Sequence, residues 1–487
     1  MKSVYDKYEI VIGLEVHAQL NTQSKIFAPD SAHFGAVPNT HISFITLGHP
    51  GTLPVLNEQA VESAVKMGLA TNCKLQRVNR FSRKNYFYAD LPKGYQITQF
   101  DTPICYQGNV DIEVEGETKS IRILQIHLEE DAGKSTHDLD PKYTMIDLNR
   151  AGVPLIEIVS EPDLRSGDEA MQYLTKIRQL VRYLGICDGN MEEGSLRCDA
   201  NVSVRLKGET EYGQRTETKN MNSIRNVKRA IQYEAKRQID LIERGERIIM
   251  QTLSFDANTG TNFPLRSKEM AHDYRYYPEP DLPPVVLEDA FIADIAAEMP
   301  ALPEILFKQF TTAFGLSKYD ASILIDDKAV ADYYLATTQH TKNYKAVANW
   351  LIGPVKAWLK ENSQEITNFV INPSTLAALT DLVAEGKVAF NIATHQLLPA
   401  LIQAPAKAPS QLASDLNLLV NTNSDHLDQM ITEVLAENAK QVALFKKGGK
   451  KAKKIPGFLM GQIMRKSPTK LDPKQTQKQL LLRLKQM

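Results

Sequence analysis

Strict alternation of apolar and polar residues marks the first element of the chain. From Tyr8 to His17, the residues Tyr8, Ile10, Ile12, Leu14 and Val16 fall on one face of an extended segment, which leaves Glu15 and His17 side by side on the other. Val110 to Val114 and Ile121 to Ile126 alternate on either side of Glu115-Gly116-Glu117 and predict a hairpin. Leu196 to Leu206 alternates as cleanly, with Leu196, Cys198, Ala200 and Val202 against Arg197, Asp199, Asn201 and Ser203. The period becomes helical after Ser166-Gly167-Asp168-Glu169, a capping box followed by Met171, Leu174, Ile177 and Val181 and stopped by Gly185. A second helix is expected from about Ile224 to Arg244, before Gly245.

Pro278-Glu279-Pro280-Asp281-Leu282-Pro283-Pro284 admits no regular element and closes this mixed region. Beyond it the pattern is helical, most clearly at Ala329 to Thr338 and Tyr344 to Leu359. Ala404 to Ser410 reads as a short Ala/Pro linker, followed by a small helical module. The expectation is an α+β protein of three domains: 1–293, 294–409 and 410–487. A length of 487 residues agrees, since one hydrophobic core rarely serves so long a chain.

Composition narrows the class. The chain is 43% hydrophobic and 24% charged, as an ordinary globular protein is. It has no apolar run of bilayer length and no secretory h-region, so no membrane is expected. Cys73, Cys105, Cys187 and Cys198 are scattered with no C-x-x-C pair, which reads as free thiols of a cytoplasmic protein. A net charge of −1 hides an asymmetry: from Lys446 onward there are 13 Lys and Arg against Asp472 alone. Lys450, Lys451, Lys453 and Lys454 are the densest part of that run, and such a tail points to a polyanion.

Several strings carry candidate chemistry. Glu15 with His17 can hold a divalent cation or position a proton, although polar residues on the outer face of a half-buried strand need no such reason. Gly133-Lys134-Ser135 imitates the end of a phosphate-binding P-loop, but Leu128 stands where its first glycine belongs and three acids precede it, so that motif is rejected. Consecutive Glu129, Glu130 and Asp131 suit a hard cation such as Mg²⁺, and strand parity leaves open which glutamate shares the face of His127. Phe81 to Gln96 mixes Arg83, Lys84 and Lys93 with aromatic rings, equally a phosphate-and-base platform or a core with snorkelling lysines. Glu192 to Asp199 and Thr216 to Ser223 place acids and bases at strand ends. No nucleophile elbow or activated cysteine is visible, so ammonia for any amide-forming reaction must come from elsewhere.

The string Asp147-Leu148-Asn149-Arg150-Ala151-Gly152-Val153-Pro154-Leu155-Ile156-Glu157 resembles the signature of the B-subunit family (GatB) of tRNA-dependent amidotransferases. Val11 to His17, Leu47 to Pro54, Arg83 to Tyr88, His127 to Thr136, Met191 to Asp199, Asp273 to Tyr276 and Phe458 to Met464 follow in the family's order, so the resemblance covers nearly the whole chain. It implies an antiparallel-sheet cradle similar to the glutamine synthetase and guanido kinase fold, then an all-α domain and a tRNA-binding tail. It implies ATP and Mg²⁺, with Glu15, His17, Glu130 and Glu217 at the metal and kinase site. Lys84, Tyr86 and Lys93, with Ser195 and Arg197, would bind the nucleotide and the acyl end. The implied reaction activates the side-chain carboxylate of misacylated Asp-tRNA(Asn) or Glu-tRNA(Gln) to an acyl phosphate, which ammonia then displaces. The implied partners are tRNA, a separate amidase subunit and a small third subunit that wraps both, in a heterotrimer. A non-catalytic adaptor that only docks tRNA onto the amidase is the alternative. The paired cysteines that some relatives use for zinc are absent here, and Ser467-Pro468-Thr469 departs from the family's usual Ser-x-Gly.

Overall fold

The alternating N-terminal run forms β1, Tyr8–Gln19, in the computed structural model of the chain, which describes residues 3–137, 139–267, 274–420, 424–447, 454–466 and 473–486. Ile12, Leu14, Val16 and Ala18 are fully buried, as the period-two pattern requires. Further strands follow: β2 Ser82–Asn85, β3 Tyr95–Thr98, β4 Cys105–Val114, β5 Glu117–Glu130, β6 Pro154–Ser160, β7 Leu196–Leu206, β8 Thr216–Lys219, β9 Gln251–Asp256 and β10 Thr261–Ser267. They form one sheet in the order β10-β9-β8-β7-β1-β6-β5-β3-β2, ending on the short strand Tyr277–Pro278, while β4 pairs with β5 and with Lys74–Leu75. The pairings are antiparallel except that of β8 with β9, which is parallel. The β4–β5 hairpin turns at Glu115 and Gly116, both at positive φ.

Three helices, α1 Glu58–Ala70, α2 Gly167–Tyr183 and α3 Ile224–Glu243, cover one face of the sheet. The α2 helix starts where its cap predicts, with the Ser166 side chain accepting from the Glu169 N–H. It packs on α3 and β4, while α3 packs on β7 and α1 on β4 and β5. Tyr173, Leu174, Ile177 and Ile231 meet Ile12, Leu14 and Val202 in a shared core, where truncating one leucine costs about 2–5 kcal/mol. The opposite face of the sheet stays open, and the odd-numbered side chains of β1 project there.

β8 is four residues long and is held from behind. Thr216 and Thr218 are fully buried. The Thr216 hydroxyl donates to Glu234 Oε1 of α3 at 2.7 Å, and Gln238 Nε2 lies 2.9 Å from both Thr216 Oγ1 and Glu234 Oε1 and 3.0 Å from the Val202 carbonyl. Arg237 closes the buried Glu234 carboxylate with contacts of 2.8 and 2.7 Å.

The chain divides into two units, Met1–Leu302 and Pro303–Met487. In the second, Phe310, Tyr334 and Trp350 are buried among short helices. The helix expected over Tyr344 to Leu359 is interrupted: Leu351–Val355 is a π turn containing Pro354, whose missing N–H breaks the α ladder. The Ala/Pro segment is a turn between helices Leu398–Gln403 and Pro409–Asp415, and the latter packs against Pro373–Ala384. Ser424–Glu437, Ala439–Lys447, Ile455–Lys466 and Pro473–Gln486 bury a core of their own, including Ile431, Leu459, Ile463 and Leu480. Lys450, Lys451 and Lys453 lie outside the described residues, and Lys454 is exposed. Asp472 lies outside the described residues, but acids earlier in the chain meet the basic run: Lys466 bonds Glu437 at 2.5 Å and Glu433 at 3.3 Å, and Arg483 lies 3.7 Å from Asp428. Those acids precede the run, so a count confined to it overlooks them. No described helix is long and apolar enough to cross a membrane. The described cysteines are free and Cys105, Cys187 and Cys198 are buried, which pushes the Cys187 thiol up to about 12.

Candidate active site

Strand register sets the site. His17 lies opposite Arg197 of β7 on one side and Glu157 of β6 on the other, and Glu157 in turn lies opposite His127 of β5. One row across four strands therefore reads Arg197, His17, Glu157, His127. The neighbouring row places Glu15 opposite Asp199. Glu217 of β8 pairs with Asn201, which sets it diagonally beside Asp199. Long-range pairing thus gathers charges from five segments on the open face.

Two clusters result. In the first, His17 Nε2 is 3.4 Å from Glu157 and 4.0 Å from Glu129, and His127 Nε2 is 3.3 Å from Glu157 and 3.6 Å from Glu129. Burial disfavours a charged imidazole, but the two carboxylates outweigh it, raising His17 to about 8 and His127 to about 10. Burial would lift Glu157, yet the imidazoles between which it sits hold it well below the usual carboxylate range. In the second cluster, ligand oxygens of Glu15, Asp199 and Glu217 lie within 4.8 Å of one another. Burial, then Glu157, Asp199 and Glu217, raises the Glu15 carboxyl. Lys219 Nζ bonds Asp199 and lies 3.0 Å from Glu217, Asn201 donates to Glu15 at 2.9 Å, and Thr252 donates to Glu217 at 2.9 Å.

Cations flank the clusters around a cleft of about 350 Å³. Arg197 pairs with buried Asp131 at 2.9 Å, and Gln19 donates to the same carboxylate at 2.7 Å. Lys84 Nζ lies 5.8 Å from the Tyr86 ring centre and 5.0 Å from that of Tyr274, a cation between two aromatic faces. Burial opposes its charge, but Glu129 and its other neighbours raise Lys84 above the ordinary lysine value.

Of the residues expected from the sequence, Glu15, His17, Glu217, Lys84, Tyr86 and Arg197 line this cleft. Glu130 and Lys93 do not. They pair with each other at 2.5 Å, and Glu130 accepts from the Ile97 N–H at 2.8 Å. Together with buried Lys25 they line a separate small cavity, where Lys25 donates to the His41 and Leu148 carbonyls. Parity explains the correction: Ile126 and Leu128 are fully buried on the core face, so Glu130 continues that face and Glu129 shares the open face with His127. That signal lay in the two apolar residues. Ser195 stands at the foot of β7, its hydroxyl donating to Asp188 at 3.3 Å, outside the cleft. Sequence reasoning missed Glu157, Asp199 and Lys219 as site residues. Asp199 alternates with Cys198 and Ala200 and was within reach, whereas Glu157 takes its place only through the β1–β6–β5 register.

The donor sets suit metal ions of different character. Three carboxylates fit a hard, oxygen-preferring divalent cation such as Mg²⁺, while the His17, Glu129 and Glu157 set adds a nitrogen, as borderline divalent ions prefer.

Residues 10–293, which hold all of these side chains, match the GatB/GatE catalytic domain, and residues 332–484 match the GatB domain. A Chlorobium chlorochromatii protein, named as the B-subunit of an aspartyl/glutamyl-tRNA(Asn/Gln) amidotransferase, is 47% identical over 477 residues, covering 98% of this chain and 99% of its own. Proteins of the same name are 49% identical in Chlorobaculum tepidum, over 96% of this chain and 97% of theirs, and 47% identical in Thermodesulfovibrio yellowstonii, over the same shares.

Proposed function

The chain belongs to the GatB family of amidotransferase subunits, and from that membership we propose that its cleft is where ATP activates a carboxylate carried on tRNA. In this reading the protein is an ATP-dependent carbon–nitrogen ligase acting on misacylated Asp-tRNA(Asn), Glu-tRNA(Gln) or both. A side-chain carboxylate oxygen attacks the γ-phosphorus and ADP leaves. Ammonia then attacks the acyl carbon, inorganic phosphate leaves with its electron pair, and loss of a proton completes the amide. A partner amidase supplies the ammonia from glutamine, and a small third subunit completes a heterotrimer. The cradle's likeness to the glutamine synthetase and guanido kinase fold, and a cytoplasmic location beside charged tRNA, belong to the same proposal. So does the division of the chain at 293 and 409.

The observation that carries the reading is the gathering of paired charges on the open face. Glu15, Asp199 and Glu217 form one carboxylate group, and Arg197 and Lys84 line the same cleft. The three carboxylates would hold Mg²⁺, which would supply neutralisation of charge on the transferring phosphoryl group. Lys219 neutralises Asp199 and Glu217 without a metal, and is placed to turn its ammonium to a phosphate oxygen once these carboxylates are otherwise engaged. Arg197, held by Asp131, presents its remaining donors to the acyl carboxylate. His17, Glu129 and Glu157 would hold a second divalent ion once the His17 imidazolium has lost its proton. The exposed Lys454 and the lysines before it would meet the tRNA backbone.

Glu15→Gln and Glu217→Gln test this in the assembled enzyme. Removing one carboxylate from a metal-held phosphate site costs several kcal/mol, so ATP-dependent amidation of charged tRNA should fall by two or more orders of magnitude. Glutamine hydrolysis by the partner should persist. Near-normal amidation in both variants would refute the assignment and favour the adaptor alternative.

A further inference from the structure

We infer that Arg83 and Asn85 are positioning residues for the reaction in the cleft: they fasten residues 274–279 along β2 and so set the Tyr274 ring against the Lys84 ammonium. This rests on the function proposed above, in which the cleft holds the anionic reactants that Lys84 faces.

Alternation along β2 separates three neighbours. Lys84 lies opposite Gln96 of β3, and both line the cleft. Arg83 and Asn85, opposite Ile97 and Tyr95, project from the other face and so point away from a reactant in the cleft. What they reach is the chain that runs beside β2. The Arg83 guanidinium grips the Glu279 carboxylate with two bonds of 2.6 and 2.7 Å. It also donates to Asp281 at 3.1 Å and to the Tyr277 hydroxyl at 3.2 Å, and lies 4.3 Å from the Tyr95 ring centre. The Glu279 side chain is fully buried. At the other end of the segment, Asn85 donates through its backbone to the Tyr274 carbonyl at 2.9 Å and through its side chain to the Arg275 carbonyl at 2.8 Å.

These bonds do what the strand ladder does not. Tyr277 and Pro278 alone pair with β2, and proline brings no N–H to a ladder. Arg275 sits at φ +44°, a left-handed conformation that a residue with a side chain keeps only where its surroundings impose it. The turn held in this way presents two rings in succession. Tyr276 stacks on Phe100 with 4.0 Å between ring centres, and Tyr274, 6.1 Å from both Tyr276 and Tyr86, lines the cleft. Lys84, 5.0 Å from the Tyr274 ring centre, thus takes one wall of its surroundings from a segment distant in sequence. Any short strand would shield a bare sheet edge. A clamp at both ends of the turn does more: it fixes the ring, and a cation fixed beforehand needs no reorganisation when negative charge develops beside it.

The test is a double-mutant cycle on ATP-dependent amidation of charged tRNA by the full chain with its co-purifying subunits. Glu279→Gln loosens the Arg83 grip, Asn85→Ala frees the Arg275 carbonyl while keeping the ion pair, and each is combined with Lys84→Met. With Lys84 present, each change should lower kcat tenfold or more. In the Lys84→Met background the same change should cost less than twofold, because the group that it positions is gone. Asn85→Ala removes side-chain bonds at a partly exposed site, so it decides the question even where Glu279→Gln does not fold. Equal losses in both backgrounds would reduce the two residues to structural support. That result, or no loss with Lys84 present, overturns the inference and leaves the function proposed above standing. Full amidation by Lys84→Met would instead remove Lys84 from the reaction, and with it both that reading of the residue and this inference.

Discussion

Glu234 sits behind the cleft and touches nothing in it, yet its replacement should be among the most damaging in the catalytic unit. In Glu234→Ala, the Thr216 hydroxyl loses its acceptor and Gln238 loses one of its own, and both side chains are fully buried. Each unsatisfied buried group costs about 1–3 kcal/mol, so a loss of roughly 2–5 kcal/mol is expected. Arg237 adds little, because its side chain is 27% exposed and can turn to water. Thermal unfolding should fall by roughly 5–15 °C for a domain of this size. Glu234→Gln keeps an acceptor for Thr216 and Gln238 and should cost only about 1 kcal/mol. Because Thr216 precedes Glu217 on a four-residue strand, the alanine variant should also raise the KM for Mg²⁺-ATP by more than it lowers kcat. Stability of Glu234→Ala within about 1 kcal/mol of wild type, or a glutamine variant as unstable as the alanine one, would refute the buried-acceptor role.

Three further outcomes can be measured. Burial lowers Lys25 to about 8, whereas an unfolded lysine keeps its proton to about 10.4. Between these values the unfolded chain binds more protons, so the stability of wild type relative to Lys25→Met should rise with pH by about 1–3 kcal/mol, and a flat or falling difference in urea titrations would refute it. Glu129→Gln should weaken Mn²⁺ binding at least tenfold, measured by electron paramagnetic resonance. Glu130→Gln should leave that affinity within threefold but cost about 3–5 kcal/mol by leaving the half-buried Lys93 ammonium without its buried carboxylate partner, and the reverse ranking would show the two glutamates misassigned. Removing residues 424–487 should weaken tRNA binding and flatten its salt dependence by about 3 in log–log slope, at about −0.7 for each of roughly four phosphate contacts. An unchanged slope would give tRNA binding to the rest of the chain.

Local pattern and long-range pairing divide what the sequence reveals from what it hides. The alternation at Tyr8 to His17 and at Leu196 to Leu206, the Ser166 cap and the Gly185 and Gly245 stops reappear as β1, β7, α2 and α3 because each depends on neighbours a few residues away. Glu15 and His17 are legible as a pair for the same reason. Glu157 is not: it matters because β6 lies between β1 and β5, a register that no local period contains. Family likeness selects Glu130, although the parity of Ile126 and Leu128 already points to Glu129. The expected helix over Tyr344 to Leu359 overlooks Pro354, whose effect on a helix interior is local and legible.

The position of β1 has a consequence for the birth of the protein. This strand is an inner strand of the sheet, and its neighbours β6 and β7 are made well after it. At about 5–20 residues per second, the roughly 135 residues between Gln19 and Pro154 take on the order of ten seconds to synthesise. Throughout that interval Ile12, Leu14 and Val16 have neither a strand partner nor α2 and α3 to cover them. A nascent chain in this state presents an adhesive apolar edge, so its yield in a cell should depend on chaperone capacity and on elongation speed between β1 and β6 more than on the stability of the finished fold.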